Sequence, residues 1–192
     1  MMDEVKEQRS LVLQDEEGLV QRAQRQDAQA FAQLYEAYFD RIYRYIVLKI
    51  GNETEAEDLT QAVFMKVLHS ISSYRSKGVP FSSWLYRIAH NQVVDFLRQK
   101  TKKATVDIEG LPLVSQAEDP QHQLEKELDI TQLREATRKL TDSQQEVLSL
   151  RFAGELSIAE CAAIMGKSEG AIKALQHAAV QSLRKVLSGS EE

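Results

Sequence analysis

Trp84, Arg87, Asn91, Asp95 and Arg98 follow one another at spacings of three and four residues. On an α-helix that spacing sets them in one stripe. An indole, two guanidiniums and an amide in a row suit stacking on bases and holding phosphates, not breaking bonds. Arg98, Lys100, Lys102 and Lys103 continue the stripe as a basic run with no acid inside it. A solvated helix face with Trp84 partly in the core gives the same pattern, so the set says more than any one member.

A second group lies near the C-terminus. Lys173, Gln176 and His177 are donors at positions that can meet base edges, and Glu169, Gly170 and Arg184 share their face. Lys167 and Ser168 precede them and can hold phosphate at a helix N-terminus. An ordinary helical hairpin with a polar outer face has the same spacing.

Catalytic chemistry finds no support. His69, His90, His122 and His177 are scattered, and one cysteine gives no zinc cluster. No Gly-rich phosphate loop is present. No catalytic residue, metal or cofactor is expected, and the chain is not read as an enzyme.

The elements that position these groups are helical throughout. Phe31, Leu34, Tyr35, Tyr38, Ile42, Tyr45 and Ile46 recur at helical period from Asp27, with Gly51 as the stop. Thr54-x-x-Glu57 has the capping-box form and opens a helix with Leu59, Val63, Val67 and Ile71 on one face. A second face of that helix carries Asp58, Gln61, Met65 and Leu68 with Phe64 beside it. That is more apolar surface than one core needs: the helix is either sandwiched or offered to a partner protein. Residues 74–80 read as a loop holding Arg75 and Lys77. Ser82 is placed as the cap of the next helix, whose core stripe is Leu85, Ile88, Ala89, Val93 and Phe96.

The C-terminal part reads as helix, turn, helix. Thr141-x-x-Gln144 and Ser157-x-x-Glu160 are capping boxes. Val147, Leu148, Leu150 and Phe152 follow the first, and Gly154 is placed as its left-handed stop. Ile158, Cys161, Ala162 and Met165 follow the second, and Gly166-Lys167-Ser168 is the turn. Ile172, Leu175, Ala179, Leu183 and Val186 make one buried stripe. The second helix of such a pair can lie in a DNA major groove.

The expected fold is all-α, two small helical domains joined by a flexible linker. Residues 1–26 are an N-terminal extension, frayed over the first ten, with Leu11, Val12, Leu13, Leu19 and Val20 able to form a short docking helix. Residues 27–103 form a helical bundle. Residues 104–123 are a linker broken by Gly110, Pro112 and Pro120 and made acidic by Asp107, Glu109, Glu118 and Asp119. Residues 124–187 hold the helix-turn-helix after a helix near 124–140, and 188–192 are a tail. The net charge of −5 argues against a protein that coats nucleic acid indiscriminately, so DNA binding must come from local patches. A lone, buried Cys161, no signal-peptide pattern and no long apolar run point to a cytoplasmic protein without membrane insertion.

Glu57-Asp58-Leu59-Thr60-Gln61-Ala62-Val63-Phe64, then Phe81-Ser82-Ser83-Trp84-Leu85-Tyr86-Arg87-Ile88-Ala89-His90-Asn91, then Asp95-Phe96-Leu97-Arg98, resemble region two of the sigma-70 family. Residues 140–187 resemble region four, and the short form resembles the extracytoplasmic-function group. The resemblance implies a sigma factor for transcription initiation that gives bacterial core RNA polymerase its promoter specificity. It implies that Asp58, Gln61, Phe64, Met65 and Leu68 meet the clamp helices of the largest polymerase subunit, with further contact to the second large subunit. It implies that Arg75, Lys77, Trp84, Arg87, Asn91, Asp95 and Arg98 face the promoter −10 element. Residues 75–79 would border a pocket for a flipped-out base. Lys167, Ser168, Glu169, Gly170, Lys173, Gln176, His177 and Arg184 would read the −35 element. The family often has an anti-sigma partner.

Ala62 stands where family members often have Glu, and Leu175 and Ala178 stand near positions where they often have arginines. Part of the last helix is thus free to pack on the first domain or on an inhibitor in a resting form. A stand-alone helix-turn-helix regulator binding DNA as a dimer is the alternative; it leaves 27–103 unexplained except as a sensing domain.

Overall fold

The computed structural model of the chain describes residues 15–76, 80–106, 136–137 and 139–188, and of residues 103–106 the backbone alone. Lys77, the Lys103 side chain, the acidic linker residues, residues 11–13 and most of the helix expected near 124–140 lie outside the described set. Every regular element among the described residues is helical.

Helix α1 (Glu16–Gln24) opens on two glutamates, which suit the positive end of its dipole. Leu19, Val20 and Ala23 are buried against the next helix, so this part of the N-terminal extension belongs to the bundle. Gln26 takes a positive φ of 65° to reverse the chain. Asp27 then caps α2 (Ala28–Ile50), accepting from the backbone N–H groups of Gln29 and Ala30 at 3.0 and 3.1 Å. Ala30, Leu34, Ala37, Tyr38, Ile42, Tyr45 and Ile46 are its buried stripe. Gly51 ends it at φ 74°, donating to the Val47 carbonyl, as expected.

Helix α3 (Glu53–Ser70) starts earlier than its sequence pattern suggests. Asn52, not Thr54, is the cap, accepting from the Glu55 N–H at 2.8 Å. Both residue types cap well, and Asn52 comes first after the Gly51 turn. A 3-10 turn, Ile71–Ser73, follows. Helix α4 (Phe81–Val106) already includes Ser82, whose hydroxyl is not a cap: it donates to Glu160 of the C-terminal module. Leu85, Ala89 and Val93 are buried as expected, and Ile88 and Phe96 are half-buried.

In the C-terminal module both capping boxes form with both of their hydrogen bonds. Helix α5 (Asp142–Leu148) runs into a π turn over Ser149–Ala153, closed by the Gly154 N–H on the Ser149 carbonyl at 2.9 Å. The extra residue rotates the chain, burying Leu150 and turning Phe152 out to 62% exposure, contrary to its reading as core. Gly154 is right-handed at φ −78°, and Glu155 takes the left-handed position at φ 58°. Glycine is needed at 154 for closeness instead: a Cβ would stand 2.7 Å from the Leu150 carbonyl oxygen and 3.0 Å from the Tyr86 ring. Helix α6 (Ile158–Met165) ends at Gly166, φ 62°. Ser168 then accepts from the Ala171 N–H at 3.2 Å at the start of α7 (Glu169–Ser188).

The two modules pack on each other through the π turn against α2 and through α6 against α4, rather than through the last helix. The Gly154 carbonyl accepts from Arg41 Nε at 3.0 Å, Arg41 Nη2 at 2.6 Å and the Tyr86 hydroxyl at 3.1 Å. Glu146, on α5, is buried among donors of the other module. It accepts from the Tyr45 hydroxyl at 2.9 Å, pairs with Lys49 Nζ at 2.8 Å and sits 3.0 Å from His90 Nδ1. Burial would raise its carboxyl, but the His90 hydrogen bond and the Lys49 charge more than offset that and hold it at about 2.

Candidate nucleic-acid interface

The α4 stripe lies on the outer side of the bundle. Arg87, Asn91, Asp95 and Arg98 are exposed, and Trp84 is half-buried. The Trp84 ring is backed by Tyr74 at 5.1 Å and Phe81 at 5.6 Å between centroids. Such support fixes the indole plane while leaving part of the ring uncovered. In the sequence pattern Tyr74 is only the start of a loop; its ring, edge-on to Phe81 at 5.7 Å, builds the wall behind the stripe. Asp95 and Arg98 stand 3.9 Å apart, so each tempers the other's charge. Arg87 Nη2 reaches the Ala163 carbonyl of α6 at 3.4 Å, so the second module stands at one end of the stripe.

Arg75 folds back on its own turn, its Nη1 donating to the Ser72 and Tyr74 carbonyls at 2.9 and 2.8 Å. Next to it, α1, the 74–76 segment and the start of α4 enclose an open cleft of about 470 Å³. Glu17, Gln21, Arg75, Ser76 and Phe81 are among its lining residues.

The α3 face divides. Asp58 and Gln61 are exposed, and Met65 and Leu68 are 54% and 47% exposed. Phe64 is not part of that surface. At 5% exposure it lies in the core, edge-on to Tyr35 at 4.7 Å. Ala62 is exposed on the same helix. Helix α3 packs its Phe64 side inward and leaves Met65 and Leu68 uncovered.

On α7, Glu169, Gly170, Lys173, His177 and Arg184 are exposed, as are Lys167 and Ser168 just before it. Gln176 is half-buried and its side-chain oxygen accepts from Arg151 Nε at 3.1 Å, which leaves its amide nitrogen as the donor for a ligand. Leu175 is half-buried against the core, while Ala178 is exposed. Cys161 is buried, and burial pushes its thiol up to about 11. Among the described residues no group of histidine, cysteine and carboxylate side chains could hold a metal. No helix among them is long and apolar enough to cross a membrane.

The chain thus carries an aromatic–arginine–amide face on one module and a helix-turn-helix on the other. Comparison with known proteins shows its family. The profile of sigma-70 region 2 matches residues 34–103, and that of sigma-70 region 4 matches residues 137–185. The ECF RNA polymerase sigma factor SigW of Bacillus subtilis is 33% identical over 180 residues, covering 88% of this chain and 94% of SigW. The ECF sigma factor BldN of Streptomyces coelicolor is 39% identical over 170 residues, covering 88% of this chain but 64% of BldN, so the chain spans under two thirds of that relative. The sigma factor RpoE, solved with the anti-sigma factor NepR from Bartonella quintana, superposes with a TM-score of 0.69 at 25% identity over 84% of this chain and 98% of that one. The chain belongs to the sigma-70 family, in its extracytoplasmic-function group.

Proposed function

We propose that this chain is a cytoplasmic promoter-specificity subunit of bacterial RNA polymerase, working by binding and not by catalysis. The observation that carries the mechanism is the uncovered α4 stripe with Trp84 braced on Tyr74 and Phe81. In the proposed mechanism a base of the opened −10 strand stacks on Trp84, Asn91 reads a neighbouring edge, and Arg87 and Arg98 hold phosphates. Stacking contributes about 1–3 kcal/mol per base, enough to offset an unstacking cost of a few kcal/mol. Holding the open strand better than the closed duplex shifts the equilibrium toward opening.

Met65, Leu68, Asp58 and Gln61 are the proposed surface for the polymerase clamp helices. The outward side of α7 is the proposed reader of the −35 element, through Lys173, His177 and Arg184, with Lys167 and Ser168 toward phosphate. An anti-sigma protein as a restraining partner is part of the proposal, supported by the NepR complex of the RpoE relative. The dimeric regulator is not favoured, since the 27–103 bundle has its own sigma region 2 match.

Run-off transcription with purified core polymerase tests the reading. The chain is expected to confer initiation on a subset of promoters in a broad panel, and to bind duplex weakly by itself. Absence of any promoter-specific transcript across the panel, with the chain bound to core, rejects the proposal.

A further inference from the structure

Helix α1 reaches the loop that flanks the α4 stripe through one side chain. Gln24 Nε2 donates to the Tyr74 carbonyl at 2.8 Å and to the Ile71 carbonyl at 3.2 Å. The Ile71 carbonyl also accepts from the Tyr74 N–H at 3.1 Å, the bond that closes the 3-10 turn, so Gln24 grips the turn at both of its ends. Tyr74 directly follows that turn, and its ring backs Trp84. The same segment forms one wall of the open cleft, and α1 forms another.

We propose that Gln24 is a positioning residue for base recognition: its amide ties α1 to both ends of the Ile71–Tyr74 turn and so fixes the wall on which Tyr74, Trp84 and the cleft depend. The inference rests on the function proposed above for the ligand, and on geometry alone for the brace. The chemistry is specific to a donor. The amide NH₂ meets two carbonyl oxygens, so a carboxylate of the same shape would set acceptor against acceptor and fail. Arg75 also donates to the Tyr74 carbonyl, but from within the segment itself. Of these two donors only Gln24 comes from another element, and so it fixes where the segment stands relative to α1.

The test uses full-length Gln24→Ala, Gln24→Glu and Gln24→Lys chains. Alanine is the better helix former, so the helix itself is not at risk. In the free chain, hydrogen exchange of the 71–76 amides is expected to speed up about tenfold in the Ala and Glu variants, the scale of one lost hydrogen bond. The Gln24→Lys variant restores a donor, and most of the protection is expected to return. In reconstituted holoenzyme, opening is compared on promoters carrying each of the four bases at successive −10 positions, read by permanganate reactivity of unpaired thymines. The Ala and Glu variants are expected to lose about tenfold in discrimination between bases at one −10 position, with core binding unchanged. Unchanged exchange in the Ala and Glu variants overturns the proposal, as does a uniform loss of core binding and opening that Gln24→Lys does not rescue. If exchange responds to position 24 but wild-type holoenzyme opens no promoter, the brace stands and the sigma-factor reading fails.

Discussion

Lys49 Nζ lies 2.8 Å from Glu146 Oε2, across the boundary between the two helical modules, with side chains only 10% and 7% exposed. Tyr45 and His90 complete the ring of partners. A charge taken from water to this degree needs every partner, and all of Glu146's partners in this ring come from the other module. Glu146 is thus one of several groups that join the modules, beside the Gly154 carbonyl with its Arg41 and Tyr86 donors and the Ser82–Glu160 hydrogen bond.

Glu146→Gln is expected to loosen the packed arrangement. It removes the negative charge and leaves Lys49 buried without its counter-ion, a loss of about 3 kcal/mol for a broken buried pair. Small-angle scattering should give a larger radius of gyration for the variant at unchanged helical content by circular dichroism. An unchanged radius would show that the Gly154 carbonyl contacts, with the Arg44–Glu155 ion pair at 2.9 Å beside them, suffice.

Acid should act through the same group. Its carboxyl is held at about 2 in the packed form against an ordinary value of 4.5. A depressed carboxyl stabilises above its ordinary value and loses that contribution as pH falls toward the depressed one. Over the window from pH 4.5 down to about 2 the packed form should lose on the order of 3 kcal/mol. A pH series of scattering profiles should show a steeper loss in the wild type than in Glu146→Gln, where the Glu160 carboxylate, also held below its ordinary value, still titrates across the boundary.

The two outer surfaces should separate by mutation. Trp84→Ala with Asn91→Ala should leave polymerase binding intact and lower open-complex formation about tenfold or more, the scale of one lost stacking platform. Met65→Asp with Leu68→Asp should do the reverse, weakening core binding while the free chain folds normally, because both residues are already exposed. Core pull-down and permanganate footprinting on the same set of proteins read the two effects.

Lys167→Ala is expected to weaken duplex binding by the holoenzyme evenly across −35 sequences. It should also reduce the slope of log affinity against log salt by about 1, as for one lost phosphate contact. His177→Ala should instead change preference among −35 sequences. Filter binding over a salt series, on several promoter variants, separates the two.

The parts of this architecture that are legible in the sequence are those set by neighbours within four residues. The Thr141 and Ser157 capping boxes, the Gly51 and Gly166 stops and the exposed Arg87–Asn91–Asp95–Arg98 side of α4 all belong here. Sequence pattern misleads where two residues compete for one local role: Asn52 and Thr54 can each cap α3, and Glu155 rather than Gly154 takes the left-handed turn. Phe152 departs from its expected place because a π turn breaks the 3.6-residue period that the pattern assumes. Phe64 lies below the surface because a helix stripe does not reveal how far a large ring can turn into the core. Gln24, Tyr86 and Glu146 carry no signal in the sequence for a different reason. Their partners lie tens of residues away or more, and nothing in spacing along one helix points to a neighbour so distant in the chain.

Cys161 carries a practical consequence. Its thiol is fully enclosed and, with its acidity suppressed, stays in the unreactive protonated form near neutral pH. As the chain's sole sulfhydryl, it will resist alkylating reagents until the helices around it part. The slow rate at which a maleimide or disulfide dye labels the native chain is then an internal clock for such breathing, and any bound protein or promoter that clamps this region should slow the clock without a single engineered label.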